Sequence, residues 1–211
     1  MCTSPPHILP WPASMTSTYA NCIATRYLNQ EVLIKKFPKA RIELMNPSMA
    51  FMLQMTPEPT SLKTALPDLT GVTHIFLPVN DCRNVDDVGG SHWSLLLVSA
   101  IDGVAFHYDS LESVNEDEAQ ILTSKMSILL GQKLRFINLI DAPQQQNNCD
   151  CGIFVCLNMS YLLKNRLLQA DTNGKVSMSL TEKNVHPKEG RKEIQSLLLK
   201  LMKEEDKKSK S

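Results

Sequence analysis

Three short apolar runs in the middle of the chain, each stopped by polar or glycine residues, constrain the fold most. Residues 74–79 form the first, ended by Asn80-Asp81; residues 92–100 form the second, after Gly89-Gly90; residues 104–108 form the third. Runs of this length and composition predict strands. The second and third are joined across Asp102-Gly103, and an Asp-Gly step between apolar runs is a strong hairpin signal. A fourth strand is predicted over 134–140. The remaining apolar segments follow a helical period. Ile23, Tyr27, Leu28, Val32 and Leu33 recur within 18–36, and 118–130 reads as a helix on the connection between strands. Asn46-Pro47-Ser48 opens a Met-rich helix over 49–55, with Pro near the first helical position. Residues 152–168 have the length and apolar richness of a buried helix, and Ile194, Leu197, Leu198 and Leu201 form a last helical stripe.

With 211 residues and 43% hydrophobic content, the chain supports one domain with a proper core. The boundaries read as an irregular lead-in over 1–17, a single domain over 18–202, and a charged, disordered tail over 203–211 with four Lys, two Glu and one Asp. Lys+Arg and Asp+Glu are equal at 22 each, so no global field favours nucleic acid or an anionic membrane. No apolar run approaches the ~18 residues of a membrane helix. The first six residues lack the basic start and apolar core of a secretory signal. Six cysteines, at 2, 22, 82, 149, 151 and 156, therefore predict thiols in a reducing compartment rather than a disulfide framework.

One cysteine differs from the rest in its surroundings. Asp150-Cys151-Gly152 follows a polar, turn-prone stretch and opens the helix at 152–168. Asp150 is predicted to cap that helix. Cys151 then lies in the first turn, where the positive end of the helix dipole lowers a thiol's pKa. Gly152 leaves room for a substrate backbone. A cysteine nucleophile needs a base, and the base needs an orienting carboxylate or amide. Of the five histidines, His92 sits at a strand edge after Gly89-Gly90-Ser91, next to Trp93. His107, inside an apolar strand, reads as a satisfied core histidine. The hairpin turn brings Asp109 back beside the strand that starts at His92. The amides of Gln144-Gln145-Gln146-Asn147-Asn148 lie just upstream of the nucleophile, where a neutral oxyanion donor is wanted. Cys149-Asp150-Cys151 does not match zinc spacing, which is generally C-x₂₋₄-C with a second ligand pair.

Three segments, Gly90-Ser91-His92-Trp93-Ser94-Leu95-Leu96, His107-Tyr108-Asp109-Ser110 and Gln145-Gln146-Asn147-Asn148-Cys149-Asp150-Cys151-Gly152, resemble in this order the signatures of the SUMO/Nedd8 cysteine proteases. The order His, Asp, Gln, Cys is that family's, whereas papain-like enzymes place Cys first. Asn80-Asp81 and Phe106 beside the second segment are most similar to the deneddylase branch. The resemblance implies an α/β (α+β) fold of the papain-like, adenain type, with a central mixed sheet packed against the nucleophile helix. It implies Cys151 as nucleophile, His92 as base, Asp109 as the group orienting His92, Gln145 as oxyanion donor, and Trp93 as the cover of a narrow tunnel for a C-terminal Gly-Gly. It implies Nedd8, or SUMO, and its protein conjugates as partners, a monomer, no cofactor or metal, and a cytoplasmic or nuclear location. The sequence departs from the family near 14–20, where a Trp-Leu-Asn/Asp segment is lacking and Pro10-Trp11-Pro12 does not match it. Two alternatives follow. One is a SUMO-specific protease. The other is a Nedd8-binding module that kept the triad and lost turnover. Cys149 is also a candidate partner for oxidation of Cys151.

Overall fold

The computed structural model describes residues 17–84, 90–170, 176–181 and 183–209, with 17, 19 and 204–209 described by their backbone alone. The predicted lead-in lies almost wholly outside these residues. Helix α1 (Ser17–Tyr27) runs on through a π-helical stretch, Leu28–Ile34, so one continuous element covers the segment that helical spacing marks out. Strand β1 (Ile42–Leu44) leads into α2 (Pro47–Met55), where Asn46 accepts the Ser48 amide at 2.9 Å and Pro47 takes the first helical position. That combination fixes the helix start, because proline has no amide to leave unsatisfied there.

Strands β2 (His74–Asn80), β3 (Trp93–Ser99) and β4 (Val104–Tyr108) follow the three apolar runs, with β3 beginning one residue after His92. Helix α3 (Glu116–Leu130) ends at Gly131, whose φ of 65° is the left-handed cap that favours glycine. Strand β5 (Arg135–Asn138), helix α4 (Cys151–Tyr161) and helix α5 (Pro187–Ser209) complete the element order. Helix α4 continues as π and 3₁₀ turns to Gln169. Helix α5 carries regular backbone through 203–209, where charge density predicts a disordered tail. Lys and Glu are good helix formers, and the apolar stripe anchors the helix upstream of them.

The five strands form one sheet in the order β1-β2-β3-β4-β5. The outer pairs are parallel and the two central pairs antiparallel, so the sheet is mixed. The β3–β4 hairpin closes with Ser99 opposite Val104, as the Asp-Gly step predicts.

The strands read as continuous apolar runs because both sheet faces are covered. On one face Phe76, Leu95, Leu97 and Tyr108 pack against Val155 and Met159 of α4. On the other, Ile75, Leu77, Leu96 and Val98 pack against Leu53 of α2 and Leu122 and Met126 of α3. Alternate residues of β3 thus serve different layers. Helix α4 is covered on its far side too, by Ala20 and Ile23 of α1 and Ile194 and Leu201 of α5, which meet Ile153 and Cys156. A helix enclosed by neighbours all round is apolar all round, as 152–168 is.

Candidate active site

The sheet and α4 bring three of the marked residues together. Cys151 is the first residue of α4 and is buried in the same apolar cluster as Trp93, Leu95 and Tyr108. It is a thiol outside any disulfide. His92 precedes β3, Asp109 follows β4, and the hairpin register that sets Leu95 opposite Tyr108 carries both to the same end of the sheet. His92 Nε2 lies 2.6 Å from Asp109 Oδ1, with both side chains almost wholly enclosed. That contact uses one ring nitrogen, so the other, Nδ1, serves the hydrogen bond that His92 shares with the Cys151 side chain.

The charges follow from this arrangement. Burial opposes a charge on His92, but the hydrogen bonds to Asp109 and Cys151 and the attraction of both outweigh it, raising the imidazole to about 9. Asp109 is held below the usual carboxylate range. Burial again works against the charge, and His92 together with the Asn115 and Leu111 amides overcomes it. Those amides lie 2.9 Å from Oδ2 and Oδ1 respectively. The His92 ring therefore keeps its proton at neutral pH. Cys156, also on α4, has its thiol raised by burial, and Cys22 adds to the rise.

His92 is also fixed from behind, by residues for which sequence reasoning found no role beyond resemblance. The Asp81 carboxylate accepts the Ser91 amide at 2.7 Å, the Ser91 hydroxyl at 2.6 Å and the His92 amide at 3.0 Å. Asn80 accepts from the Cys82 and Gly90 amides and donates to the His92 carbonyl at 3.1 Å. The loop is so close that a Cβ on Gly90 would overlap the Asp81 and Asn80 side-chain oxygens, which explains the glycine. The available signal was an Asn-Asp pair stopping an apolar run, a pattern that turns share.

Gln145 is held against the segment after Asp109. Its backbone amide donates to the Ser110 carbonyl at 2.8 Å and its Oε1 accepts the Ser110 hydroxyl at 2.8 Å, which ties it to the residue after Asp109. Its Nε2 donates to the Asn147 carbonyl at 2.6 Å. Trp93 is 7% exposed and lies on the α4-facing side of the sheet. His107 is a satisfied core histidine, between the Ser94 hydroxyl at 2.9 Å and Asn138 Oδ1 at 3.0 Å.

Two expectations are corrected. Cys149, expected as a thiol and as a candidate partner for oxidation of Cys151, is disulfide-bonded, while Cys151 is not. The Asp150 side chain does not cap α4. Its carboxylate accepts from Arg191 of α5, through Nε at 2.9 Å and through Nη2, and from Asn147 Nδ2 at 2.7 Å. A charge-assisted fork outcompetes a cap bond to a neutral amide.

The chain is 36% identical over 177 residues, 82% of its length, to NEDD8-specific protease 2 of Schizosaccharomyces pombe, and covers 42% of that protein. It is 32% identical over 128 residues to human Sentrin-specific protease 8, covering 59% of this chain and 60% of the relative. The chain thus spans about half the length of these relatives. In structure it is similar to a de-sumoylating protease, with a TM-score of 0.61 over 91% of this chain and 84% of the other at 18% identity, a likeness of fold. The model of the Ulp1 protease family, C-terminal catalytic domain, matches residues 14–199, and the chain belongs to that family.

Proposed function

We propose that this chain is a cysteine peptidase and isopeptidase that hydrolyses the bond after the C-terminal Gly-Gly of Nedd8, releasing Nedd8 from conjugates. The observation that carries the reading is the buried His92–Asp109 pair, 2.6 Å apart, hydrogen-bonded onward to a thiol at a helix start. The names of its relatives support Nedd8 over SUMO as substrate.

In this reading the Cys151 thiolate attacks the carbonyl carbon of the terminal glycine, and the oxyanion takes a donor from Gln145 Nε2 and the start of α4. The intermediate collapses with cleavage of the C–N bond, as the His92 imidazolium passes its proton to the departing lysine amine. A thioester remains. Water attacks it, gives its proton to His92, and the carboxylate of Nedd8 leaves as the thiolate is restored. Asp109 holds the imidazole orientation throughout. Trp93 roofs the passage for Gly-Gly, where a side chain would clash. None of the helices among the described residues is long and apolar enough to cross a membrane, and a cytoplasmic or nuclear place of action belongs to this proposal.

The pH profile tests the charge assignment. His92 holds its proton below about 9 and loses it above. The leaving amine then lacks an acid, so kcat/KM on a Nedd8 C-terminal reporter is expected to fall as pH rises through about 9. A fall already complete near the ordinary histidine value of 6.5 would contradict the imidazolium–thiolate pair.

The substrate is tested with probes of Nedd8 and of SUMO that carry an electrophile at the C-terminal glycine. Labelling by the Nedd8 probe alone, at Cys151, is the expected result. Labelling by the SUMO probe alone would move the substrate assignment. Nedd8 binding without labelling would replace the enzyme by a binding module.

A further inference from the structure

Arg191 lies in the first turns of α5, far in sequence from the site, yet its guanidinium grips the two residues before the nucleophile. Nε lies 2.9 Å from Asp150 Oδ1, Nη2 donates to the same oxygen, and Nη2 also donates to the Cys149 carbonyl at 2.7 Å. The side chains of Arg191 and Asp150 are 24% and 10% exposed, so the pair is partly withdrawn from water. The helix carrying it is pressed onto α4. A Cβ on Gly190 would lie 2.8 Å from Leu157 and 3.0 Å from Ile153, so α5 approaches as it does because that position is glycine. Ile194 and Leu201 seal the contact.

We infer that Arg191 is a positioning residue for the nucleophile, holding the Cys149-Asp150 turn and cancelling the Asp150 charge beside the Cys151 thiolate. The inference rests on the reading of Cys151 as nucleophile. A carboxylate adjacent in sequence to a thiolate opposes its ionisation, and a cation on that carboxylate removes the opposition. Among the described residues, His92 bonds to Cys151 with Asp109 behind it, and Asp150, the residue before Cys151, pairs with Arg191. Helix α1 packs further along α4, where Asn21 Oδ1 accepts from Cys156 at 3.2 Å. The Arg191–Asp150 pair at the helix start can therefore be altered without touching the triad.

The consequence is a difference of sign. Both Arg191→Gln and Asp150→Asn break the same ion pair. If the pair only docks α5, both changes act in the same direction. If Arg191 screens Asp150, Arg191→Gln strands a negative charge near the thiolate and Asp150→Asn strands a positive one. The experiment is the rate of Cys151 alkylation by iodoacetamide as a function of pH, read by site-resolved mass spectrometry on the full chain and its variants. On the acid limb of the rate profile, where Cys151 is only partly ionised, Arg191→Gln is expected to slow alkylation roughly three- to tenfold. Asp150→Asn is expected to leave the rate unchanged or raise it, and the double variant to recover most of the loss. Equal slowing in both single variants, or wild-type rates in Arg191→Gln, overturns the inference. Should Arg191→Gln not fold, Asp150→Asn decides alone: a rate at or above wild type supports screening, and a slower one overturns it. Turnover of a Nedd8 reporter, measured in parallel, is expected to show the loss in kcat with KM within about twofold. Failure of the wild type to cleave the reporter would count against the peptidase reading, while alkylation would still decide the role of Arg191.

Discussion

Cys151→Ala is expected to abolish turnover of a Nedd8 reporter, a loss of at least ~10,000-fold, while leaving the fold and Nedd8 binding in place. The size follows from the chemistry. Without the sulfur no thioester forms, and water would have to attack the peptide directly in a site arranged for a thiolate. No neighbour can take over. Cys149 is disulfide-bonded, and Cys156 is buried with its thiol pushed upward. The fold should tolerate the change because Cys151 sits at the helix start and alanine is a good helix former there. Thermal unfolding, calorimetric titration with Nedd8 and reporter cleavage together separate the outcomes. Binding with no turnover is the expected pattern. Residual turnover above about one per cent would require another nucleophile and would remove Cys151 from that role.

In the proposed reaction the protein supplies little beyond placement and electrostatics. The thiolate it calls for would be stabilised by the His92 imidazolium, which Asp109 helps keep charged, and by a helix start whose cap residue is turned toward Arg191. Each of these depends on chain segments that meet only in the fold. The turn after Asp109 shows the cost. Glu112 and Ser113 both adopt positive φ, 44° and 65°, in a tight reversal that brings the Leu111 and Asn115 amides onto the Asp109 carboxylate. Non-glycine residues in this region are strained, and such strain persists where surrounding bonds over-determine it. Gln144 supplies two of those bonds, from its Nε2 to the Asp109 carbonyl and from the Glu112 amide to its Oε1, both at 2.9 Å.

How much of this could be read from the chain depends on how local the signal is. Strands β2 to β4 were legible because a sheet covered on both faces writes unbroken apolar runs, and the Asp102-Gly103 step writes its hairpin. The helix at 152–168 was legible because its enclosure by β3, α1 and α5 makes it apolar on every side. The His92–Asp109 contact was also within reach, since two residues flanking hairpin-paired strands at the same end must meet. What escaped was long-range and polar. Asp150 looked like a cap because the four or five residues around it say so, and Arg191, 41 positions away, redirects it. Asn80 and Asp81 looked like a strand stop, and their hold on the Gly90–His92 loop needs the register of β2 against β3. The helical run of α5 past 203 escaped for the opposite reason: charge density predicts solvation, and a solvated segment can still be a helix when it continues one that is anchored.

Asp109→Asn should damage the protein twice, although the side chain keeps its shape. In the present structure both carboxylate oxygens act only as acceptors. Oδ1 takes the Leu111 amide and faces His92 Nε2, and Oδ2 takes the Asn115 amide. An asparagine has one acceptor oxygen and one donor NH₂. With the oxygen toward His92, the NH₂ group meets the Asn115 N–H and a buried amide loses its partner. With the oxygen toward Asn115, the NH₂ group faces His92 Nε2 and the Leu111 amide instead. Either arrangement buries donor against donor, at about 1–3 kcal/mol. The same change removes the negative charge that helps hold His92 protonated, so the imidazolium becomes less stable and the alkaline limb of activity moves down from about 9. We expect kcat/KM at neutral pH to fall about 100- to 10,000-fold, together with a lowered thermal midpoint. Asp109→Ala provides the contrast, since it leaves the backbone amides a cavity that water can enter rather than an opposing donor. Alanine less destabilised than asparagine, with both nearly inactive, is the expected pattern. An asparagine variant that retains wild-type stability and an alkaline limb at about 9 would mean that Asp109 neither orders its turn nor charges His92.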